Sequence, residues 1–335
     1  MTEMSRCCGS FARCLRLEPR YLVRALISAV ALAICPGSLP AFETGEAGLP
    51  IKFNGLEIPY RIFAVYVLPG ETVEIGPSAG RASDGFAVSA EGASAAMRTA
   101  SSWTWKAPTE PGVTTLTVTT DAGETVLNVV ILVPSSEIHG ERLNGYRLGS
   151  YPRRPLNGNP LYLPPDGFIE LTEHNADLAL SPHFRLSQFP AKQSSGFPKY
   201  LVLREQLLLK LELLLAQVNR EGIAADTFTI MSGYRTPYYN AAIKNVPYSR
   251  HVFGGAADIY IDAAPRDDVM DDLNRDGRLD FRDAQYLYRI ADRLFSDPVY
   301  AMLRGGLGVY RSNTVHGPFL HIDARQQRAR WGELP

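Results

Sequence analysis

The chain has 335 residues, of which 45% are hydrophobic and 21% are charged, and its formal net charge is −1. This length and apolar content suffice to bury more than one hydrophobic core, which favours two folded units over one. The near-neutral charge excludes a broadly basic surface of the kind that binds a nucleic-acid polyanion. We therefore expect small or neutral ligands and no nucleic acid.

The first 41 residues are typical of a secretory signal. Five arginines and only two acidic residues, Glu3 and Glu18, accompany an apolar run of about a dozen residues. That run is short of the roughly 20 residues of a membrane-spanning helix, so cleavage near Ala41 is favoured over an uncleaved anchor. Loss of residues 1–41 removes five positive and two negative charges and changes the net charge from −1 to −4. We expect an exported protein that meets a membrane only if this segment is retained.

All four cysteines lie inside this predicted signal, at Cys7, Cys8, Cys14 and Cys35. The rest of the chain has no thiol for a disulfide, a thiolate metal site or a cysteine nucleophile. Its chemistry must therefore use oxygen and nitrogen groups.

Residues 42–135 carry the pattern of a small antiparallel β-sandwich. Short runs such as "ETVEIG" and "TTLTVTT" alternate apolar and polar residues, and Pro-Gly, Asp-Gly and Ala-Gly pairs separate such runs. Trp103 and Trp105 lie two positions apart, which places both on one face of a strand. They suit either a platform for carbohydrate or the core of the sandwich, and the core is the commoner use.

Residues 136–180 are rich in Gly, Pro and Asn, which favours an extended connector. From 181–335 the pattern becomes α+β with an antiparallel sheet. "ADTFTIMSGYR" is predicted to be a buried strand that runs into a loop, "AADIYID" and 319–323 are predicted strands, and "PYYNAAIKN" is a predicted short helix. A longer amphipathic helix ends at Gly222, and its apolar face is formed by Leu203, Leu207, Leu211, Leu214 and Val218.

Two clusters in the C-terminal half have the composition of a metal site. The first, "SRHVFGGAAD" at 249–258, joins His251 and Asp258 through small residues that let the backbone fold the histidine back beside the aspartate. The second, "HGPFLHIDAR", contains His316 and His321. Catalytic zinc typically takes three ligands from His, Asp and Glu and keeps a fourth position open, so zinc is the predicted metal.

Four segments, "SGYRTPYYN", "SRHVFGGAADIYID", "GGLGVY" and "HGPFLHIDAR", resemble in order and spacing the zinc D-alanyl-D-alanine carboxypeptidase family of bacterial cell-wall peptidases. The chain looks closest to the murein-endopeptidase-like branch, whose metal-site design is shared with the hedgehog and lysostaphin folds. The resemblance covers roughly residues 181–332. It implies that His251, Asp258 and His321 bind zinc, and that Arg235 holds a peptide carboxylate or an oxyanion.

One departure from the family pattern concerns the general base. Several members carry an acid shortly before the last histidine ligand, but Arg311 to Leu320 contain none. His316 is the nearest titratable group, and it is predicted either to transfer the proton or to orient the water. Asp323, two residues after His321 and hence on the same strand face, is predicted to support the ligands rather than to act as the base. Ser249 is also predicted to support the ligands.

A second ion site is predicted between Asp258 and His321. Gly277 stands at the sixth position of a run with EF-hand spacing, and an aspartate replaces the usual final glutamate, as in dockerin-like loops. The oxygen ligands would come from Asp272, Asn274, Asp276, the carbonyl of Arg278, Asp280 and Asp283. A structural calcium ion in an insertion at 272–283 is therefore expected, against the alternative of an acidic turn that binds nothing.

These observations predict an exported, periplasmic protein with a β-sandwich and a zinc peptidase domain that acts on peptidoglycan stem peptides or crosslinks. The sequence leaves open whether the bond is terminal or internal, and it leaves the oligomeric state and the role of the sandwich open as well. One alternative is a non-catalytic module that keeps a structural zinc and binds cell-wall peptides or a protein. Another is a hydrolase of some other exported peptide.

Overall fold

The computed structural model describes residues 42–78, 85–91, 96–99 and 102–334, so the predicted signal lies outside the described residues. Within them the chain is a mixed α+β protein with several antiparallel sheets and few helices. The α-helices are α1 (Glu205–Arg220), α2 (Pro237–Ala242) and α3 (Phe281–Ser296). Among the described residues, none of the helices combines the length and apolar content needed to cross a bilayer.

The strands, in chain order, are β1 (Glu46–Phe53), β2 (Leu56–Tyr60), β3 (Ile62–Val67), β4 (Thr72–Pro77), β5 (Ala87–Ala90), β6 (Met97–Arg98), β7 (Trp103–Lys106), β8 (Gly112–Thr120), β9 (Gly123–Ile131), β10 (Val133–Pro134), β11 (Arg142–Leu143), β12 (Tyr146–Arg147), β13 (Gly167–Leu171), β14 (Lys199–Leu201), β15 (Thr229–Ser232), β16 (Ala256–Tyr260), β17 (Gly306–Tyr310), β18 (Phe319–Asp323) and β19 (Ala329–Gly332). Short 3-10 turns occupy Ser135–Glu137, Leu156–Gly158, Pro160–Tyr162, Leu186–Gln188, Arg250–Phe253 and Pro298–Leu303.

Strands β1 to β9 form two sheets, in the orders β2-β1-β4-β7-β6 and β3-β9-β8-β5. Apolar side chains from both sheets are buried in one core, among them Ile75 and Trp105 from the first and Leu127 from the second. Trp105 is 1% exposed, so it serves the core rather than a carbohydrate platform. Strands β3 and β9 pair in parallel, which differs from the all-antiparallel expectation.

The predicted connector contains regular structure of its own. Strand β13 pairs with β10 on one side and with β14 on the other, so this part of the chain joins a small sheet. A separate cluster of apolar side chains, which includes Leu148, Phe168 and Tyr200, is buried beside it. The amide of Asn128 in the sandwich donates to the carbonyl of Ala179 at 2.8 Å.

The sheet that carries the candidate site has the order β15-β16-β18-β17-β19. Helices α1 and α3 pack together, and α3 contacts β17 and β18. The side chains of Ile259, Leu320 and Ile322 are buried in the same core as the leucines of α1. Helix α1 contains Leu207, Leu211, Leu214 and Val218 of the predicted apolar face, all 0% exposed, and begins just after Leu203.

The opposite face of this sheet carries a row of polar and small residues. Asp258 in β16 is the register partner of Ser232 in β15 and of His321 in β18, and His321 is the partner of Gly308 in β17. Gly308 in turn pairs with Trp331 in β19. Side chains of directly paired residues point to the same side of a sheet, so this register assembles the candidate site.

A lysine is buried behind that row. Lys210 in α1 is 0% exposed, its Nζ donates to the main-chain carbonyl of Asp323 at 2.8 Å, and it lies 4.4 Å from the ring centroid of Phe295. Burial lowers the pKa of Lys210 to about 7, although the charge of Asp323 acts in the opposite direction. The ammonium therefore loses its proton far more readily in the folded protein than in the unfolded chain.

Stability is therefore expected to rise with pH above neutrality. The unfolded chain, with a lysine pKa of 10.5, holds a proton that the folded protein has released above about pH 7, so alkali favours the folded state. Relative to Lys210→Met, the wild type should gain roughly 2 kcal/mol of unfolding free energy between about pH 7 and about pH 9. Urea unfolding at a series of pH values measures this, with Lys192→Met at an exposed position as the control. Parallel pH profiles for wild type and Lys210→Met would contradict the expectation.

Candidate metal centre

Three buried side chains meet on the polar face of the sheet. His251 comes from the 3-10 turn Arg250–Phe253, Asp258 from β16 and His321 from β18, and they are 2%, 3% and 8% exposed. One ligand atom from each lies within 4.8 Å of the others, and among the described residues no other set of His, Cys, Asp and Glu does this. The structure thus brings together the three residues predicted as zinc ligands.

The glycines between His251 and Asp258 explain how the turn can precede the strand so closely. Gly254 ends the 3-10 turn in the left-handed region, with φ of +66°. A Cβ atom there would lie 2.5 Å from the main-chain carbonyl of Val202. Only glycine fits both the conformation and the close approach, so the turn can fold the imidazole back over the start of β16.

The distances within the cluster fit a tetrahedral zinc ion. His321 Nδ1 lies 2.8 Å from Asp258 Oδ1 and 3.2 Å from His251 Nε2, and His251 Nε2 lies 3.2 Å from Asp258 Oδ1. Zinc bound at about 2.0–2.1 Å in a tetrahedron would separate its ligand atoms by about 3.3 Å. The three atoms therefore form a triangle slightly smaller than one face of that tetrahedron.

The outer nitrogen of each imidazole has its own hydrogen-bond partner. His251 Nδ1 donates to the carbonyl of Gly233 at 2.7 Å, and His321 Nε2 lies 3.3 Å from Oδ2 of Asp323. A proton held at each outer nitrogen leaves the inner nitrogen with a free lone pair, as metal ligation requires. The donor set and its outer contacts thus suit a metal ion.

The cluster keeps its carboxylate ionised. Burial alone would raise the pKa of Asp258, but the interaction with His251 and the hydrogen bonds with His251 and His321 hold this pKa well below its usual range. Burial lowers the pKa of His251, which favours the neutral imidazole. The pKa of His321 is raised because its contacts with Asp258 and Asp323 outweigh burial.

Asp323 connects the cluster to the rest of the sheet. Its side chain is fully buried, Oδ1 accepts the amide of Gly306 at 2.8 Å, and Oδ2 accepts from Arg325 Nη2 at 2.6 Å. Ser249 was predicted to support the ligands as well, and it lines the cleft above them. In the described part of the chain its side chain makes no hydrogen bond to a ligand, so the contacts that orient the histidines come from Gly233 and Asp323.

Arg235 contacts the cluster directly. Its Nη2 donates to Asp258 Oδ2 at 2.5 Å and its Nε to Ser232 Oγ at 2.8 Å, so β15 and β16 fix the guanidinium. Arg235 also lines the cleft, and its Nη1 donates to none of the described residues. The structure therefore holds this arginine beside the metal ligands with one donor group to spare.

The cluster lies at the bottom of a cleft of about 1030 Å³. One wall contains Trp331, whose indole nitrogen donates to the hydroxyl of Tyr310 at 2.7 Å and whose ring lies 5.1 Å from that of His321. The indole fits over β17 because Gly308 has no side chain, where a Cβ would lie 2.3 Å from the indole nitrogen. Sequence reasoning missed this wall, although the spaced glycines of "GGLGVY" were a usable signal.

His316 lies on the wall of the cleft, on the loop before β18. Its Nε2 is 2.8 Å from Nδ2 of Asn313, and its Nδ1 is 2.8 Å from the carbonyl of Gly317. Among the described residues it makes no hydrogen bond to the metal cluster. No carboxylate other than Asp258 lines the cleft in the described part of the chain, which agrees with the absence of an acid noted in the sequence.

The predicted calcium loop is closed by its own backbone amides. Asp272 accepts from the amides of Asp276 at 3.1 Å and Gly277 at 2.8 Å, and Gly277 has φ of +81°. Asp280 and Asp283 form the capping box of α3, in which Asp283 Oδ2 accepts the amide of Asp280 at 2.8 Å. The carboxylates thus have structural roles, and calcium binding by this loop stays a prediction.

Calorimetry on metal-stripped protein tests the calcium prediction. We expect a dissociation constant on the order of 10⁻⁴ M, the range of extracellular calcium modules. Asp276→Ala should abolish the heat because it removes the oxygen at the fifth position, whereas Glu173→Ala, at an exposed site elsewhere, should leave it unchanged. Equal heats for wild type and Asp276→Ala would show that the loop holds no calcium.

Comparison with protein families finds no family model that matches the chain, and comparison with curated proteins finds no match. The family resemblance therefore stays a prediction from the motifs. What this protein does has to be argued from the geometry of the site.

Proposed function

We propose that this protein is an exported, periplasmic zinc peptidase that hydrolyses bonds in peptidoglycan stem peptides or their crosslinks. The observation that carries the proposal is the cluster of His251, Asp258 and His321 at the bottom of an open cleft. Structural zinc sites are closed by four protein ligands, whereas catalytic sites use three and keep one position for water or substrate. Among the described residues, no fourth His, Cys, Asp or Glu joins this cluster.

The residues around the cluster have different proposed roles in binding and catalysis. Zinc, when bound, supplies a Lewis acid that polarises a scissile carbonyl and acidifies water. Arg235 is fixed by Asp258 and Ser232, so its remaining donors can hold a substrate carboxylate or a developing oxyanion without reorganisation. Asp323 holds the imidazole of His321 in one orientation through Nε2.

The substrate assignment rests on two supports of different kinds. The motifs that contain Arg235, His251 and His321 resemble those of bacterial cell-wall peptidases. The cleft also presents the cations Arg235 and Arg325, which suit a peptide that bears carboxylates.

His316 is proposed as the group that transfers the proton. Besides the metal cluster, it is the histidine that lines the cleft in the described part of the chain, and its Nε2 becomes available for a proton once the Asn313 amide is displaced. His316→Ala should lower kcat about 10²-fold with little change in zinc content, because general catalysis contributes about 10² to 10⁴. Zinc content and kcat of this variant are compared with those of His174→Ala, at an exposed histidine. An unchanged kcat would remove His316 from the mechanism.

A second candidate function is a non-catalytic module that binds cell-wall peptides or a protein and retains zinc as structure. It is favoured by one observation, the lack of any carboxylate besides Asp258 in the described lining of the cleft. Several members of the predicted family carry an acid there, so its absence leaves the base to another residue.

Digestion of purified sacculi separates the two functions. Sacculi are incubated with the zinc-loaded protein in three samples: without additive, with a chelator, and with a chelator followed by added zinc. The released fragments are identified by mass spectrometry. A peptidase releases peptide fragments in the first and third samples only. Sacculi that stay intact while metal analysis shows one zinc per chain would rule out the enzyme and favour the binding module.

A further inference from the structure

A second, smaller pocket of about 280 Å³ adjoins the metal cleft. The two share Met231, Val315 and His316 in their walls, so they form one continuous groove. The rest of the second pocket is formed by Tyr260, the 268–270 turn, Gly317 and Pro318. Apart from His316, none of the described residues that line this pocket takes part in the proposed chemistry at the metal.

The register of the sheet shows which way the groove runs. Tyr260 lies two residues after Asp258 in β16, and Phe319 lies two residues before His321 in the antiparallel β18, so both are on one side of the metal ligands. Asp323, two residues after His321, is on the other side. Two residues of strand span about 7 Å. The metal ligands therefore lie between the second pocket and the end of the cleft that Arg325 lines.

The two ends of the groove differ in charge. Near Asp323 lie Arg325, which lines the cleft, and the buried Arg250, so cations outnumber that single carboxylate. At the second pocket, Asp262 accepts the amides of Asp267 and Asp268 at 3.0 Å each. These three carboxylates lie close enough to Tyr260 that their charges, after burial, raise the pKa of its hydroxyl.

Asp268 is the carboxylate that lines the second pocket. Within the described residues its carboxylate oxygens accept no hydrogen bond, whereas its main-chain carbonyl accepts from the Tyr260 hydroxyl at 3.3 Å. The walls beside it are the apolar side chains of Met231, Val269 and Met270. A pocket with apolar walls and a free carboxylate matches a side chain that has a methylene stem and a cationic end.

We propose that this second pocket binds an alkylammonium side chain of the substrate, of the kind carried by lysine or another diamino acid, with Asp268 as the partner of the amine. The inference rests on the proposed function in taking the occupant of the cleft to be a peptide. The pocket and the arginine end flank the metal ligands, so they would hold parts of the substrate on opposite sides of the reacting bond.

Asp268→Asn tests the pocket with little risk to the fold. Asp268 has φ of +64°, a conformation that asparagine tolerates well, and Asp267→Asn next to it is a matched control outside the pocket lining. The probes are fluorescein-labelled alanine hexapeptides that carry one lysine, norleucine or glutamate at each position in turn. Binding to the zinc-loaded protein is measured by fluorescence anisotropy, and kcat/KM by mass spectrometry where cleavage occurs.

At one position, lysine should bind about tenfold more tightly than norleucine, and glutamate more weakly than both, as expected for one charge-assisted contact. Asp268→Asn should abolish this preference, Asp267→Asn should keep it, and added salt should weaken it. Equal binding of lysine and norleucine peptides at every position, or a preference that survives Asp268→Asn, would overturn the inference. A lysine preference together with sacculi that stay intact in the digestion described above would support the pocket and count against the peptidase, so the two proposals can fail separately.

Discussion

Asp258→Asn is expected to abolish zinc binding and, with it, peptide hydrolysis. The substitution keeps the shape of the side chain but replaces an ionised oxygen that lies 2.8 Å from His321 Nδ1 and 3.2 Å from His251 Nε2. It also removes the negative charge that Arg235 contacts at 2.5 Å. Two imidazoles alone hold zinc weakly, so kcat/KM should fall by at least about 10³-fold, the scale of the several kcal/mol that a metal contributes.

Metal content after dialysis and kcat/KM on sacculus fragments measure the two effects independently. Asp226→Asn is the matched control, because Asp226 is an exposed aspartate paired with Arg266. If Asp258→Asn retained one zinc per chain, the metal would have to be held elsewhere. If it lost zinc but stayed active, the proposed role of the metal would be wrong.

The second large effect is expected from Asp323→Asn, which should lower both the stability of the fold and the affinity for zinc. The buried carboxylate accepts from Gly306, from Arg325 and from His321 Nε2. Despite burial, the contacts with His321 and Arg325 hold its pKa well below its usual range. The asparagine side chain would leave Arg325 partly unpaired. Its NH2 group would also face an N–H group that now donates to the carboxylate. We expect a loss of about 3 kcal/mol in unfolding free energy and zinc affinity weaker by about 10- to 100-fold.

Urea unfolding and a zinc competition titration measure these two quantities. Glu333→Gln is the control, since Glu333 pairs with Arg311 at the surface and such pairs contribute under about 1 kcal/mol. An Asp323→Asn variant as stable as Glu333→Gln would show that the buried charge is dispensable. Unchanged zinc affinity would show that Asp323 does not orient His321.

The local parts of the fold were predictable because they depend on residues close together in the chain. The spacing of leucines predicted α1, and the apolar run before Asp323 predicted β18 with its correct bounds. The Gly-Gly-Ala-Ala spacer predicted that His251 and Asp258 would meet, and the structure brings them within 3.2 Å. In each case the sequence pattern and the physical cause lie within a few residues of each other.

The remaining features depend on pairings between distant segments. Nothing near Lys210 in the sequence indicates that its ammonium reaches the carbonyl of Asp323 behind the sheet. The position of Trp331 beside His321 follows from the pairing of β19 with β17, which neither strand predicts alone. Likewise, Arg235 was predicted to face the substrate, and its hydrogen bond to Asp258 appears only when β15 is placed beside β16.

The pairing of β16 with β18 determines where the chain can change in length without disturbing the site. Asp258 and His321 face each other because their strands are paired, so the intervening segment, which contains α3 and the predicted calcium loop, does not set the distance between them. That segment can lengthen or shorten by whole loops while both ligands keep their places. A single residue inserted within β16 or β18 would instead turn one ligand to the helix side of the sheet. Large insertions between the two strands should therefore preserve the site, whereas a single inserted residue within either strand should disrupt it.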